Sequence, residues 1–395
     1  MVDSKRASTK RQDKRNIVDR AELCKHVRRL VVKVGSGVLS RGTLCLQPES
    51  IQGLAKQIAS LMAQGVQTLL VSSGAVMAGM ERLERTERPR SIPVKQAAAA
   101  IGQSVLMARY EEAFAPFGIK VAQILLTQED MRDRVRYLNA RNTLFTLLGL
   151  GVLPIVNEND TVAVEEIKFG DNDILSALVA SLVDADLLVM LTDQEGLYTA
   201  DPRTDPGAQL VPVISSPFTP DAFWASPTQT LTGIGGMASK IEAARLATAS
   251  HVPTMVANGL TSDILVRLVA GESLGTLFLP QAAKMGGRKR WLAFATRPKG
   301  GIQVDEGAKQ ALTHQGRSLL PSGVRGTVKA FHAGDVVSIL GVEGQEFARG
   351  LVNYSAEEVE RIKGRRSSEI EQVLGYKHSD EVIHRNNLVI LGVRK

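Results

Sequence analysis

The chain has 395 residues, of which 44% are hydrophobic, which allows two or three domains with sizeable cores. Its two cysteines are too few for a disulfide-stabilised fold, so a reducing, cytoplasmic location is expected. The formal net charge is +7, but no apolar run approaches the roughly 18–20 residues of a membrane span, so we expect no membrane association.

The first 27 residues form a basic N-terminal extension. Lysine and arginine are concentrated in its first fifteen positions, and no apolar h-region of a secretory signal follows them. A charged segment of this kind buries too little apolar area to fold by itself. We therefore expect residues 1–27 to be disordered.

Residues 28–280 alternate apolar runs with segments of helical periodicity, which is typical of an α/β domain. Strands are predicted at 30–34, 68–71, 121–126, 152–156, 187–191 and 254–257. Helices are predicted at 51–62, 94–115, 135–148, 174–183 and 237–249. Strands separated by helices favour βαβ units, and hence a mostly parallel sheet with helices on both faces, an αβα sandwich. The polar segment 201–235 is interpreted as a loop or excursion.

The character of the sequence changes after a basic linker at residues 281–299. Short strands at 327–331, 336–340 and 347–352 and a helix at 306–313 predict a small, separate, β-rich domain over residues 300–380. Residues 381–395 are expected to form a C-terminal tail. The basic linker fits either a solvated junction between domains or a surface that binds RNA.

Three clusters of short amides and carboxylates follow strands or open a helix within residues 157–205. The first lies around Asn157 and Asp160, the second around Asn172 and Asp173, and the third at Thr192 and Asp193. Loops beyond the carboxyl ends of parallel strands are where α/β enzymes bind ligands. These clusters point to a small zwitterionic substrate, although one residue of the second cluster also suits a helix N-cap.

Two glycine-rich turns add the elements of a phosphate site. Lys33 is followed by Val34-Gly35-Ser36-Gly37, and residues 233–239 lead into the first helical turn at Lys240. Glycines at a strand end or helix start let backbone N–H groups approach an anion. The first turn also fits a purely structural turn, and Ser73 after the second strand fits either a substrate contact or a helix cap. Together these parts predict phosphoryl transfer, which needs mainly positioning and charge neutralisation.

Six sequence motifs resemble the amino acid kinase family, in its branch that phosphorylates glutamate and carries a C-terminal PUA domain. They are VVKVGSGVL at 31–39, SSGAVMAG at 72–79, LLTQEDMRDRVRYLNARNT at 125–143, VNENDTVAVEEIKFGDNDILSALVA at 156–180, LTDQEGLYTADPR at 191–203 and GIGGMASKIEAA at 233–244. The resemblance implies transfer of phosphate from ATP to the γ-carboxylate of L-glutamate, the first step of proline synthesis. Kinases of the same fold that act on another acid, and an RNA-binding PUA protein, are the alternatives.

The resemblance also implies a role for each matching residue. The catalytic residues would be Lys33, Lys240 and Asp173. The glutamate-binding residues would be Ser73, Asn157, Asp160 and Asn172. The ATP-binding residues would be Lys33, Thr192, Asp193, Ile234, Gly235, Gly236, Met237, Ala238, Ser239 and Lys240.

Several partners follow from the same resemblance. Mg²⁺ would arrive with ATP rather than at a protein metal site. Proline is expected as an inhibitor, sensed near residues 127–143, and the chain is expected to form a dimer or tetramer. Gly37 and Ile234 stand where the family often has Ser and Thr, so altered ATP affinity is expected.

Overall fold

The computed structural model describes residues 20–85, 89, 91–162, 171–202, 204–215, 236–280 and 298–391. The chain divides into two compact units. The first comprises Met1–Thr127 and Asn142–Gln281, and the second comprises Gln128–Arg141 and Ala282–Lys395. Among the described helices, none has the length and apolar character needed to cross a membrane.

The first unit contains eight described strands and the helices between them. The strands are β1 (Arg29–Val34), β2 (Gln67–Ser72), β3 (Val121–Leu126), β4 (Leu153–Glu158), β5 (Leu187–Thr192), β6 (Val213–Ser215), β7 (Thr254–Asn258) and β8 (Thr276–Leu279). The helices are α1 (Arg20–Cys24), α2 (Ser36–Ser40), α3 (Pro48–Ala63), α4 (Ala75–Arg82), α5 (Ile92–Phe114), α8 (Asp171–Leu182), α9 (Met237–Ala249) and α10 (Ile264–Val269). Helix α6 (Gln128–Arg132) belongs to the second unit, and α7 (Arg134–Gly149) runs from the second unit into the first.

The strands form one sheet in the order β3-β4-β2-β1-β5-β7-β8-β6. The central strand β1 is parallel to both β2 and β5, whereas β8 runs antiparallel to β7. The predicted mostly parallel α/β fold is confirmed. Because β1, β2, β4 and β5 are parallel, their carboxyl ends lie at one edge of the sheet.

Both faces of the central strands are buried, which explains their continuous apolar sequences. On β1, Leu30, Val32 and Val34 belong to a core shared with α3 and α5. The alternating residues Val31 and Lys33 point to the opposite face and are buried as well. A lysine on a buried face needs a charged or polar partner there, because an unpaired buried charge is strongly unfavourable.

Two glycines allow α4 and α5 to pack at very short distance. A Cβ atom at Gly79 would lie 1.8 Å from the carbonyl oxygen of Ala98, and one at Gly102 would lie 1.8 Å from that of Ala75. Both distances are far inside van der Waals contact, so only glycine fits at these positions. The close packing brings α5 against the start of α4, the helix that follows β2.

The end of the N-terminal extension is helical, whereas disorder was expected from its charge. Arg20 begins α1 and is buried, and its guanidinium donates to the carbonyl oxygens of Leu274 at 2.6 Å and Pro212 at 2.5 Å. Gly271 lies against this helix, since a Cβ there would be 2.4 Å from the Cα of Ala21. Contacts distant in sequence therefore order residues 20–27, and composition does not reveal them.

The second unit contains a five-stranded sheet in the order β10-β9-β11-β12-β13. Its strands are β9 (Gly300–Val304), β10 (Val324–Val328), β11 (Val336–Leu340), β12 (Glu346–Leu351) and β13 (Leu388–Ile390). Its helices after the linker are α11 (Glu306–Gln315), α12 (Ala356–Ile362) and α13 (Ile370–Leu374). A separate hydrophobic core includes Ile302, Ile339, Phe347 and Tyr354. The predicted β-rich C-terminal region is confirmed.

Some elements of this unit differ from the sequence-based expectations. The strand expected at 327–331 ends at Val328, because Lys329 has a positive φ of 63° that an extended strand does not accommodate. Strand β13 lies in the segment expected to be a tail, and it pairs antiparallel with β12. With three residues it carries too little pattern to be found from sequence alone.

We expect Gly79→Ala to destabilise the protein by about 1–3 kcal/mol or more, because its methyl group has no room beside Ala98. Gly53→Ala is the matched control, since Gly53 also lies in a helix and a Cβ there would have nothing within 4 Å. That control should be neutral or stabilising by up to about 1 kcal/mol. Denaturant unfolding measures both free energies, and equal effects of the two substitutions would contradict the close packing.

Candidate active site

A buried ion pair connects the central strand to α8. The Nζ atom of Lys33 lies 2.6 Å from Oδ1 of Asp173, and the two side chains are only 6% and 1% exposed. Asp173 lies in the first turn of α8, where the helix dipole favours an anion. The pair therefore lies at the carboxyl edge of the sheet, on the face opposite the core shared with α3 and α5.

Helix α9 supplies two further partners to the same carboxylate. Oδ2 of Asp173 accepts a hydrogen bond from Oγ of Ser239 at 2.6 Å, and Nζ of Lys240 lies 3.2 Å from it. Lys33 and Lys240 are 207 positions apart in the sequence, yet both contact the carboxylate of Asp173. We name Lys33, Asp173 and Lys240 the lysine–aspartate cluster.

The lysine–aspartate cluster changes the acidity of its members. Burial alone would raise the pKa of Asp173, but the charges of Lys240 and Lys33 outweigh burial and hold it well below its usual value of 3.8. Burial lowers the pKa of Lys33 from its usual 10.5, and the nearby charge of Lys240 adds to this, while Asp173 and Asp193 oppose it. Asp173 therefore stays ionised at neutral pH and pairs with both lysines.

A second group of polar side chains lies directly beside this cluster. Nδ2 of Asn172 donates to Oδ1 of Asn157 at 3.0 Å and to Oγ of Ser73 at 3.2 Å. These residues come from α8, β4 and the loop after β2, so the fold brings together three of the four predicted glutamate-binding residues. The fourth, Asp160, lies two residues beyond β4 and is partly exposed. We name Ser73, Asn157 and Asn172 the amide cluster.

Sequence reasoning missed two buried residues around the amide cluster. Oε1 of Gln103 on α5 accepts from Nδ2 of Asn157 at 2.9 Å. The hydroxyl of Tyr110, also on α5, shares a 2.8 Å hydrogen bond with that of Ser72. The sequence did contain a signal, because Gln103 and Tyr110 lie at helical spacing from Leu106, on the otherwise apolar buried face of α5.

The predicted nucleotide residues occupy the neighbouring parts of the same sheet edge. Thr192 ends β5, and its hydroxyl donates to the carboxylate of Asp193 at 3.1 Å. Gly236 is the N-cap of α9 in extended conformation, and as a glycine it has no side chain to cap that helix. Uncapped N–H groups at a helix start are a suitable partner for phosphate. Ile234 and Gly235 lie outside the described residues.

The remaining residues of the glycine-rich loop are part of α9. Met237 and Ser239 are buried, whereas Ala238 is partly exposed. Gly37 lies within α2, directly after β1. Because β1 is flanked by β2 and β5, the residues that follow all three strands lie next to each other at one edge of the sheet.

Comparison with known proteins gives a consistent result. The sequence model of the amino acid kinase family matches residues 28–258, which include every predicted site residue, and that of the PUA domain matches residues 300–374. Glutamate 5-kinase of Citrifermentans bemidjiense is 51% identical over 372 residues, covering 94% of this chain and 100% of that protein. Glutamate 5-kinase of Geobacter sulfurreducens is 52% identical with the same coverage. Glutamate 5-kinase of Moorella thermoacetica is 50% identical, covering 92% of this chain and 97% of that protein.

We expect Asp173→Asn to lower the free energy of unfolding at pH 7 by about 3–5 kcal/mol, because two buried lysines lose their anion. Asp205→Asn, at an exposed carboxylate, is the control and should stay within about 0.5 kcal/mol. Since the folded pKa of Asp173 lies below 3.8, the difference should be full above that pH and diminish as the pH falls further. A loss no larger than that of the control would contradict the proposed electrostatics.

Proposed function

The chain belongs to the amino acid kinase family, and we propose that it transfers the γ-phosphoryl group of ATP to the γ-carboxylate of L-glutamate. The products are L-glutamyl 5-phosphate and ADP. The observation that carries the proposal is the lysine–aspartate cluster, which directly adjoins the amide cluster at one edge of the sheet. The first suits a transferring phosphoryl group, and the second suits a polar amino acid.

The reaction requires little covalent chemistry from the protein. A γ-carboxylate oxygen of glutamate forms a bond to the γ-phosphorus as the bond from that phosphorus to the bridging oxygen of ADP breaks. The carboxylate has an ordinary pKa of about 4.3 and is already ionised at neutral pH, so no general base is required. The protein has to hold two anions together and to neutralise their charge.

The lysine–aspartate cluster performs that neutralisation. Lys33 and Lys240 bring two ammonium groups to one point, and Asp173 holds both of them by a carboxylate that stays ionised. Charges fixed before the reaction, in a site with little water, stabilise a transition state more than mobile surface charges. We assign the phosphoryl-transfer position to this cluster.

The two substrates lie on either side of the cluster in our proposal. Glutamate contacts Ser73, Asn157, Asp160 and Asn172, whose short amide, hydroxyl and carboxylate groups match its charged ends. ATP contacts Thr192, Asp193 and the segment 234–240, with its phosphates at the N-terminus of α9. The uncapped start of α9 and its position beside Asp173 support this arrangement.

We propose that Mg²⁺ enters with ATP and is held mainly by phosphate oxygens and water, because it loses water reluctantly. Within the described ranges, no group of three or more His, Cys, Asp and Glu side chains is arranged to hold a metal. Both carboxylate oxygens of Asp173 are engaged by Lys33, Lys240 and Ser239. The carboxylate of Asp173 is therefore surrounded by two ammonium groups and a hydroxyl, an arrangement that suits ion pairs rather than a resident metal ion.

Regulation and assembly stay predictions for this chain. We propose a cytoplasmic enzyme that is inhibited by proline and forms a homo-oligomer. RNA binding by the PUA domain, matched over residues 300–374, stays the alternative and is not favoured. Repeating the kinase assay with added proline tests the inhibition.

Purified protein should release ADP when L-glutamate and ATP are both present. Hydroxylamine should trap the acyl phosphate as γ-glutamyl hydroxamate, because an acyl phosphate is a reactive electrophile. L-Aspartate, which is one methylene shorter, should give a rate lower by about 10-fold or more. Equal rates with the two amino acids would refute the substrate assignment, and ADP release without hydroxamate would refute acyl phosphate formation.

Replacing either lysine by methionine, which keeps the volume of the aliphatic stem, should lower kcat by about 100-fold or more. The variants are Lys33→Met and Lys240→Met, and Lys56→Met at an exposed position of α3 is the control. Steady-state kinetics measures the effect, and circular dichroism checks the fold. Turnover within about threefold of the unchanged protein in a folded variant would rule out the two-lysine mechanism.

A further inference from the structure

Gln103 is a buried polar residue to which the proposed mechanism gives no role. It follows Gly102, whose close contact with Ala75 packs α5 against the start of α4. Its side chain is only 8% exposed, and Oε1 accepts from Nδ2 of Asn157 at 2.9 Å. Its Nε2 atom is buried and has no hydrogen-bond partner among the described residues.

One backbone group determines the orientation of the neighbouring amide. Oδ1 of Asn157 accepts from the backbone N–H of Glu158 at 2.9 Å. A backbone N–H only donates, so the oxygen of the Asn157 amide must face it, and Nδ2 must face Gln103. Gln103 must then present its own oxygen, because two amide nitrogens facing each other would leave both donors unpaired.

The same orientation extends to Asn172. Because Oδ1 of Asn157 is an acceptor, Asn172 has to turn Nδ2 toward it, and this nitrogen also lies within hydrogen-bond distance of Oγ of Ser73 and the carbonyl oxygen of Ser72. Oδ1 of Asn172 is left buried and without a hydrogen-bond partner in the described part of the chain. This oxygen is an acceptor, and the hydrogen bonds that Nδ2 makes to Asn157, Ser73 and Ser72 set its direction.

We infer that Gln103 is a positioning residue for recognition of an α-ammonium group: it accepts from Nδ2 of Asn157, whose orientation the N–H of Glu158 sets, and so keeps the Asn157 amide in place. Oε1 of Gln103 accepts from Nδ2 of Asn157, and Oδ1 of Asn157 accepts from Nδ2 of Asn172. Oδ1 of Asn172 then accepts from the ammonium of the substrate. The inference rests on the proposed function, since it concerns the amino-acid side of that site. It predicts that the site binds an amino acid more tightly than a dicarboxylate of the same length.

The experiment compares two replacements of Gln103. Gln103→Met keeps the length of the side chain and removes the acceptor for Asn157. Gln103→Glu keeps an acceptor oxygen in either protonation state, and no described partner of Nε2 is lost. Ser104→Ala, at an exposed position of the same helix, is the control. Isothermal titration measures binding of L-glutamate and of glutarate, which lacks the ammonium, with a non-hydrolysable ATP analogue present.

The dissociation constant of glutamate should rise about tenfold or more in Gln103→Met, as expected for losing a hydrogen bond to a charged group. That of glutarate should change less than about threefold, and Gln103→Glu should bind both ligands within about threefold of the unchanged protein. The Ser104→Ala control should match the unchanged protein. Thermal unfolding verifies that each variant is folded.

Three results would overturn the inference. They are unchanged glutamate binding in Gln103→Met, an equal loss of glutamate and glutarate binding, and a loss in Gln103→Glu as large as in Gln103→Met. If Gln103→Met does not fold, Gln103→Leu, which also lacks the acceptor, takes its place. Failure of the unchanged protein to form γ-glutamyl hydroxamate would instead refute the proposed function, so the two failures are distinguishable.

Discussion

The attraction between Asp173 and two buried lysines is the interaction on which the site depends. A lysine in a buried strand is unfavourable unless an anion compensates it, and Lys33 occupies such a position near the carboxyl end of β1. The anion must itself be stabilised, and the start of α8 together with the hydroxyl of Ser239 does so. Removing Asp173 leaves two buried lysines without their anion, so charge balance ties β1, α8 and α9 to one arrangement.

That arrangement places two different chemical environments side by side. Asp173 belongs to the lysine–aspartate cluster, and the preceding residue, Asn172, belongs to the amide cluster. In the function we propose, two consecutive residues in the first turn of one helix separate the position of the phosphoryl group from that of the amino acid. Placement of two reactants side by side is a main source of catalysis in phosphoryl transfer.

In the amide cluster, the hydrogen-bond partners determine which end of each side-chain amide donates and which end accepts. Amide groups can donate from one end and accept from the other, so a chain of them has two possible orientations. A single backbone N–H, that of Glu158, selects one of these for Asn157, and the neighbouring amides follow. In the function we propose, the lysine–aspartate cluster supplies charge for phosphoryl transfer, whereas this network orients the groups that bind glutamate.

The sequence by itself determined the fold class, the parallel strands and the residue types of the site. The strand predicted at 121–126 has the same bounds in the structure, and those at 30–34 and 68–71 are each extended by one residue or two, since buried apolar runs are a local signal. The order of the strands, the burial of Arg20 and the partners of Gln103 were decided by tertiary structure alone. These features join residues far apart in the chain, and local patterns carry no information about which distant groups will meet. From the residues alone, Lys33 and Lys240 were separate cations, and the family resemblance grouped them with Asp173. The folded chain shows the contacts themselves, at 2.6 Å and 3.2 Å.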